Sequence, residues 1–100
     1  LRTELGLGEG EPLVLVVGRL AAVKRPRLAL EAFALAEQAR PGRPPAHLAF
    51  LGDGAERAAL EAARRRLPPE LGARVHLLGA RPDPAPVYAE ADLVLLASHS

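Results

Sequence analysis

The sequence predicts an α/β fold, a parallel sheet with helices on both faces, from three observations. Four short, branched, apolar runs lie at 13–17, 47–51, 75–78 and 93–97. Segments rich in Ala, Leu, Glu and Arg, of helical length, separate them. Three of the four runs end on a glycine, namely Gly18, Gly52 and Gly79. Apolar runs that are continuous rather than alternating mark strands buried on both faces. Strand and helix in strict alternation favour parallel pairing through right-handed crossovers, which gives a Rossmann-like, three-layer arrangement.

Taken in order, residues 1–12 read as a linker or frayed segment and 13–100 as the folded domain. The first helix, about 26–40, has Pro26 near its first turn and stops at Pro41. The second, about 55–67, sets Leu60, Ala63 and Leu67 on one face at i, i+3 and i+7. Asp53 and Glu56 ahead of it have the spacing of an N-cap and its reciprocal partner, a better fit than a catalytic carboxylate. A third, short helix lies near 84–91. Pro41, Pro44 and Pro45 mark one connection, and Pro68, Pro69 and Gly72 another. After the last strand nothing follows to cover the sheet edge, so the chain reads as a piece of a larger protein, incomplete at its C-terminus.

Composition excludes several classes of function. With 100 residues, 49% hydrophobic and 25% charged, the chain is one domain of ordinary composition. No run approaches the roughly 20 apolar residues needed to cross a bilayer, and no charged leader precedes an apolar run, so a cytoplasmic setting is expected. Peripheral contact of the intact protein with a membrane stays open. The absence of Cys removes disulfides, thiol nucleophiles and thiolate metal sites. A net charge of +1 with only Phe33, Phe50 and Tyr88 as aromatics argues against a nucleic-acid partner. The run Arg64 to Arg66 reads as a solvated helix end. His47 and His76 sit in or beside apolar runs and read as core-edge residues. Three scattered His and no Asp-x-Asp pair make no metal site, and no metal or other cofactor is expected.

The chemistry concentrates where the strands end. In open parallel sheets ligands lie beyond the carboxyl ends of the strands, and glycine there permits close approach to backbone. Gly52-Asp53-Gly54 begins like a dinucleotide fingerprint but has Arg57 in place of the third glycine. The informative segment is Gly18-Arg19-Leu20-Ala21-Ala22-Val23-Lys24, which leaves the first strand and enters a helix. Arg19 and Lys24 can converge on one polyanion with helix N–H groups behind them, a diphosphate clamp. Lys24 is the single Lys beside 12 Arg, which suggests that a compact charge on a flexible stem is wanted there. Arg81 follows the third strand and its glycine; it either lies flat on a nucleobase or pairs with Asp83 or water. His99, beyond the fourth strand, is on the same rim. Asp92, where that strand begins, reads as a turn residue.

Taken together, Val14 to Arg19 with Lys24, Phe50-Leu51-Gly52-Asp53-Gly54, Val75-His76-Leu77-Leu78-Gly79 and Tyr88-Ala89-Glu90-Ala91-Asp92 ahead of a strand ending in Ser98 resemble the C-terminal domain of retaining glycosyltransferases of family 4 (group 1), which have the GT-B fold. The resemblance covers about 12–100. It implies half of a GT-B fold that binds a nucleoside-diphosphate sugar, with an N-terminal acceptor-binding lobe, missing here, as its partner across a cleft. On that resemblance Arg19 and Lys24 are catalytic, stabilising charge on the leaving diphosphate without a metal. Gly18, Gly79, Arg81 and His99 contact the donor. The family's two donor-contacting glutamates fall after Ser100, so the piece is expected to be inactive alone. A nucleotide-sugar epimerase of the same architecture and a non-catalytic α/β interaction module are the competing readings.

Overall fold

The computed structural model describes residues 1–18, 20, 26–39 and 42–96. Its strands are β1 (Leu13–Val17), β2 (His47–Leu51), β3 (Val75–Gly79) and β4 (Leu93–Leu96). Its helices are α1 (Pro26–Gln38), α2 (Arg57–Arg65), α3 (Pro69–Gly72) and α4 (Ala85–Glu90). The strands form one sheet in the order β3-β2-β1-β4, and every pairing within it is parallel. The predicted Rossmann-like α/β architecture is therefore the observed one. The one-turn helix α3 is additional; Pro68 and Pro69 read as a connection in the sequence, yet Pro at the start of a turn is also compatible with a helix.

Alternation along each strand assigns side chains to the two faces. Val14 and Val16 of β1, Leu48 and Phe50 of β2 and Val75 and Leu77 of β3 meet Leu30, Phe33 and Ala34 of α1, Leu60 of α2 and Leu71 of α3. On the opposite face Leu13, Leu15, Ala49 and Leu51 pack with Val87 of α4. Each fully buried Leu or Phe contributes about 1.5–3 kcal/mol of transfer free energy. The buried residues of α1, at 26, 30, 33 and 34, form one helical stripe.

All five residues of β2 are buried, as its unbroken apolar run predicts. The expectation of burial on both faces fails for β4, where Leu93 and Leu95 are 51% and 44% exposed. They are register partners of Val14 and Val16, on the face where α1 covers β1 and an open groove lies between α1 and Leu95 of β4. Residues 1–12, expected as a linker or frayed segment, contain no strand or helix, and they fold in turns that place Leu1, Leu5 and Leu7 against the second face. Asp92 is a turn residue as expected. Its carboxylate accepts the Leu13 N–H at 2.7 Å while its own N–H donates to Leu13 O at 2.9 Å, which fastens the start of β4 to β1. The Leu13 N–H is also the main reason the Asp92 carboxyl is held below its usual range.

The amino-terminal end of the sheet is closed by polar groups. The Glu37 carboxylate of α1 accepts from Arg74 at 2.7 Å and from the Ala46 N–H at 2.9 Å, and Arg74 also donates to Ala46 O at 2.7 Å. Beside this clamp His47, 5% exposed, bonds through Nδ1 to Nε2 of His76 at 3.0 Å. Its Nε2 meets Glu11 Oε1 at 3.2 Å. The two rings are nearly parallel, and the histidines are core-edge residues as expected.

A bond between two imidazole nitrogens needs one donor and one acceptor, so protonating both rings would set two donors against each other. Burial, the first cause in both, lowers the His47 pKa and lowers that of His76 to about 4; Arg74 and Arg2 add to the effect on His47, Arg64 to that on His76, and Glu11 opposes it at His47. Because the folded values lie below the unfolded one, the contribution is present above about pH 6.5 and is lost as the pH falls towards 4. Stability measured by urea unfolding should drop by about 1–2 kcal/mol between pH 7.5 and pH 5. His76→Gln should flatten that dependence.

Candidate functional site

Parallel strands leave the sheet on one side, and here three of them leave through glycine. The exits of β1 and β2 touch through backbone. Gly18 N–H donates to Leu51 O at 3.1 Å, Leu20 N–H to Asp53 O at 3.1 Å and Glu56 N–H to Leu20 O at 2.7 Å. A Cβ on Gly52 would stand 2.0 Å from Gly18 O, and one on Gly54 would stand 2.5 Å from Leu20 O. Gly52 also has φ of +141°, a region that L side chains rarely adopt. Its role is thus more than turning the chain: it lets two loop backbones lie against each other.

The exit of β3 joins them through a change of register. Phe50 pairs with Leu77, but Leu51 pairs with Gly79, so Leu78 is the extra residue of a bulge. Bulges bend a strand and re-aim the chain beyond it. Gly52 N–H then donates to Gly79 O at 2.9 Å, and Gly79 turns with φ of +73°.

Above these three exits lies a cleft of about 390 Å³ lined by Val17, Gly18, Leu51, Gly52, Asp53, Ala80, Arg81, Pro84 and Tyr88. Its floor is the carboxyl ends of β1 and β2. Its wall is the connection from β3 into α4, with Arg81, Pro84 and Tyr88. This is the size and position expected of a small-molecule site in an open α/β sheet.

The structure brings Gly18 and Arg81 together at this cleft; Gly79 does not line it, but its carbonyl accepts the Gly52 N–H and it precedes Ala80 of the lining. Among the described residues Arg81 pairs with Glu4, its Nη2 3.4 Å from Oε2, and not with Asp83. Arg19, Lys24 and His99 lie outside the described residues. The capping role expected of Asp53 and Glu56 is not observed. The N-cap position of α2 is Glu56, and no side chain caps the helix. Asp53 Oδ1 instead accepts the Gly54 N–H at 2.8 Å, and its carboxylate pairs with Arg57 at 3.8 Å, while Glu56 pairs with Arg27 at 3.6 Å. The Glu56 N–H, which an Asp53 cap would serve, donates to Leu20 O instead.

Sequence reasoning missed Asp53, Pro84 and Tyr88 as cleft residues. Tyr88, 40% exposed, is an aromatic that the core does not bury, on the helix four residues after Pro84. An exposed aromatic beside a strand-end loop was the available signal. Arg57, noted only for standing where a fingerprint glycine would be, lies near Gly79, since a Cβ there would be 3.4 Å from Arg57 Nη1. Among the described residues no group of three or more His, Cys, Asp or Glu has metal-binding geometry. No described helix is long and apolar enough to cross a membrane.

The two kinds of glycine contact separate in their consequences. Gly52→Ala sets a Cβ against backbone that cannot yield and should cost about 2–4 kcal/mol, from overpacking together with strained φ. Gly79→Ala meets only the end of a flexible Arg57 side chain and should cost about 1–2 kcal/mol, the strain alone. Guanidinium unfolding with an unchanged m-value would measure both.

The comparison with known proteins agrees with this geometry. The family model described as Glycosyl transferases group 1 matches residues 11–100, from the start of β1 through every strand. No curated protein matches the chain.

Proposed function

The chain belongs to the glycosyl transferases group 1 family, and on that premise we propose that it is the donor-binding half of a retaining GT-B enzyme, which moves a sugar from a nucleoside-diphosphate sugar to an acceptor held by a partner lobe. The observation that carries the proposal is the cleft itself: a backbone floor at Gly18 and Gly52, where a diphosphate can approach closely, and a wall with Arg81 and Tyr88, where a nucleobase can stack. In this reading Gly79 sets the turn that delivers Arg81 to the wall. Arg19 and Lys24 meet the diphosphate, and His99 contacts the donor from the loop after β4.

The mechanism follows from where charge develops. As the glycosidic bond of the donor breaks, the leaving nucleoside diphosphate gains negative charge. Cations placed there beforehand stabilise the transition state more than the ground state. Arg19 and Lys24 supply that stabilisation, with no metal in the proposal. The donor half binds nucleotide without transferring sugar on its own, since the acceptor is held by the other lobe. A cytoplasmic setting belongs to the same proposal.

Titration of the chain with UDP, GDP and ADP by ligand-detected NMR tests it. Binding that prefers one base and weakens in Lys24→Ala is the expected result. A folded chain that binds none of the three would overturn the donor reading in favour of an interaction module. In the intact enzyme Arg19→Ala and Lys24→Ala should each lower kcat by about 100- to 1,000-fold, comparable to the loss of one oxyanion-type donor. Wild-type turnover at saturating donor would remove those two residues from the mechanism.

A further inference from the structure

The wall of the cleft is held from behind by the residues that precede β1. Residues 1–7 form a hydrogen-bonded turn, with Leu5 N–H donating to Leu1 O at 2.9 Å, Gly6 N–H to Thr3 O at 3.1 Å and Leu7 N–H to Arg2 O at 2.9 Å. Leu1, Leu5 and Leu7 seat that turn on the apolar cluster that also holds Val17, Leu51, Leu78 and Val87. Val17 and Leu51 are cleft-floor residues, and Val87 is the neighbour of Tyr88. The turn and the cleft therefore share one core.

The polar residues of the turn reach the same connection at two points. Arg2 N–H donates to Glu90 Oε1 at 3.0 Å and the Arg2 guanidinium pairs with Asp92 at 3.3 Å, just after α4. This backbone N–H is the first cause of the Glu90 carboxyl lying below its usual range. Glu4 reaches Arg81 just before α4. The stretch from Arg81 to Asp92, which carries the three wall residues of the cleft, is thus clasped at both ends by Arg2 and Glu4.

We propose that Glu4 is a positioning residue for the ligand cleft: by engaging one edge of the Arg81 guanidinium it fixes that group so that its flat face is offered to the nucleobase of a nucleoside diphosphate. A guanidinium has five N–H donors in one plane, so it can serve a carboxylate with an edge while a ring stacks on its face. Without Glu4 the same side chain is free to rotate and to turn its edge towards phosphate or solvent, and a base that stacks must then also order it. The proposal rests on the donor reading above and adds a residue, from outside the strands and their loops, that acts on the ligand through Arg81.

The test is a double-mutant cycle in the full-length protein, read by calorimetric titration with UDP, GDP and ADP and by thermal unfolding. Glu4→Gln is expected to weaken the tightest-binding of the three nucleotides about three- to five-fold, the range an exposed ion pair provides, with an unchanged Tm. In an Arg81→Gln background the same substitution should change nothing, because its effect passes through the guanidinium. Glu4→Gln binding as tightly as wild type would overturn the proposal, as would an equal loss in the Arg81→Gln background. A wild-type protein that binds none of the three nucleotides would instead overturn the donor reading, and this proposal with it; wild-type binding separates the two failures.

Discussion

The carbonyl of Gly18 occupies the space that a side chain at Gly52 would need, and much of the molecule is arranged around that contact. It brings the exits of β1 and β2 within hydrogen-bond distance and lets Leu20 bridge to Asp53 and Glu56. Through Gly52 it then draws in Gly79 from the third strand. A side chain at that point would wedge the loops apart and remove the floor of the cleft. The helices and the apolar layers position this junction; the missing Cβ permits it.

The two ends of the sheet are built from different materials. At the carboxyl end the close packing is backbone on backbone, and the polar and aromatic side chains that line the cleft, Asp53, Arg81 and Tyr88, are partly or fully exposed. At the amino-terminal end side chains close the structure: Glu37, Arg74, the His47–His76 pair and Glu11. Buried polar groups rigidify when each has a partner, and the described residues contain no buried side-chain N or O without one. The polar closure thus holds the frame at the end of the sheet away from the cleft.

Much of the fold was legible because it depends on local pattern. An unbroken apolar run such as 47–51 leaves few alternatives to a central strand, and Pro26 with the Ala- and Leu-rich stretch behind it leaves few alternatives to a helix. The residues of β4 alone did not show the exposure of Leu93 and Leu95, because a continuous apolar run reads as burial on both faces and what covers it depends on a neighbour that those residues do not encode. The glycines announced the site, but their use did not follow from spacing: Asp53 and Glu56 satisfy a capping pattern, and the Glu56 N–H donates to Leu20 O instead. The pairing of Arg81 with Glu4 joins residues 77 apart, a distance over which no periodicity carries information.

Since the floor of the cleft is glycine main chain together with Val17 and Leu51, and its frame is secured elsewhere, the donor reading leaves ligand choice to a small number of exchangeable positions. Asp53, Arg81 and Tyr88 line the cleft without belonging to either apolar layer. Related chains can diverge at such positions while the scaffold stays constant, and a combinatorial library restricted to these three would sample new selectivities with little risk of losing folded protein. The polar and aromatic side chains that face the cleft are thus not the ones that build the core, although Val17 and Leu51 take part in both.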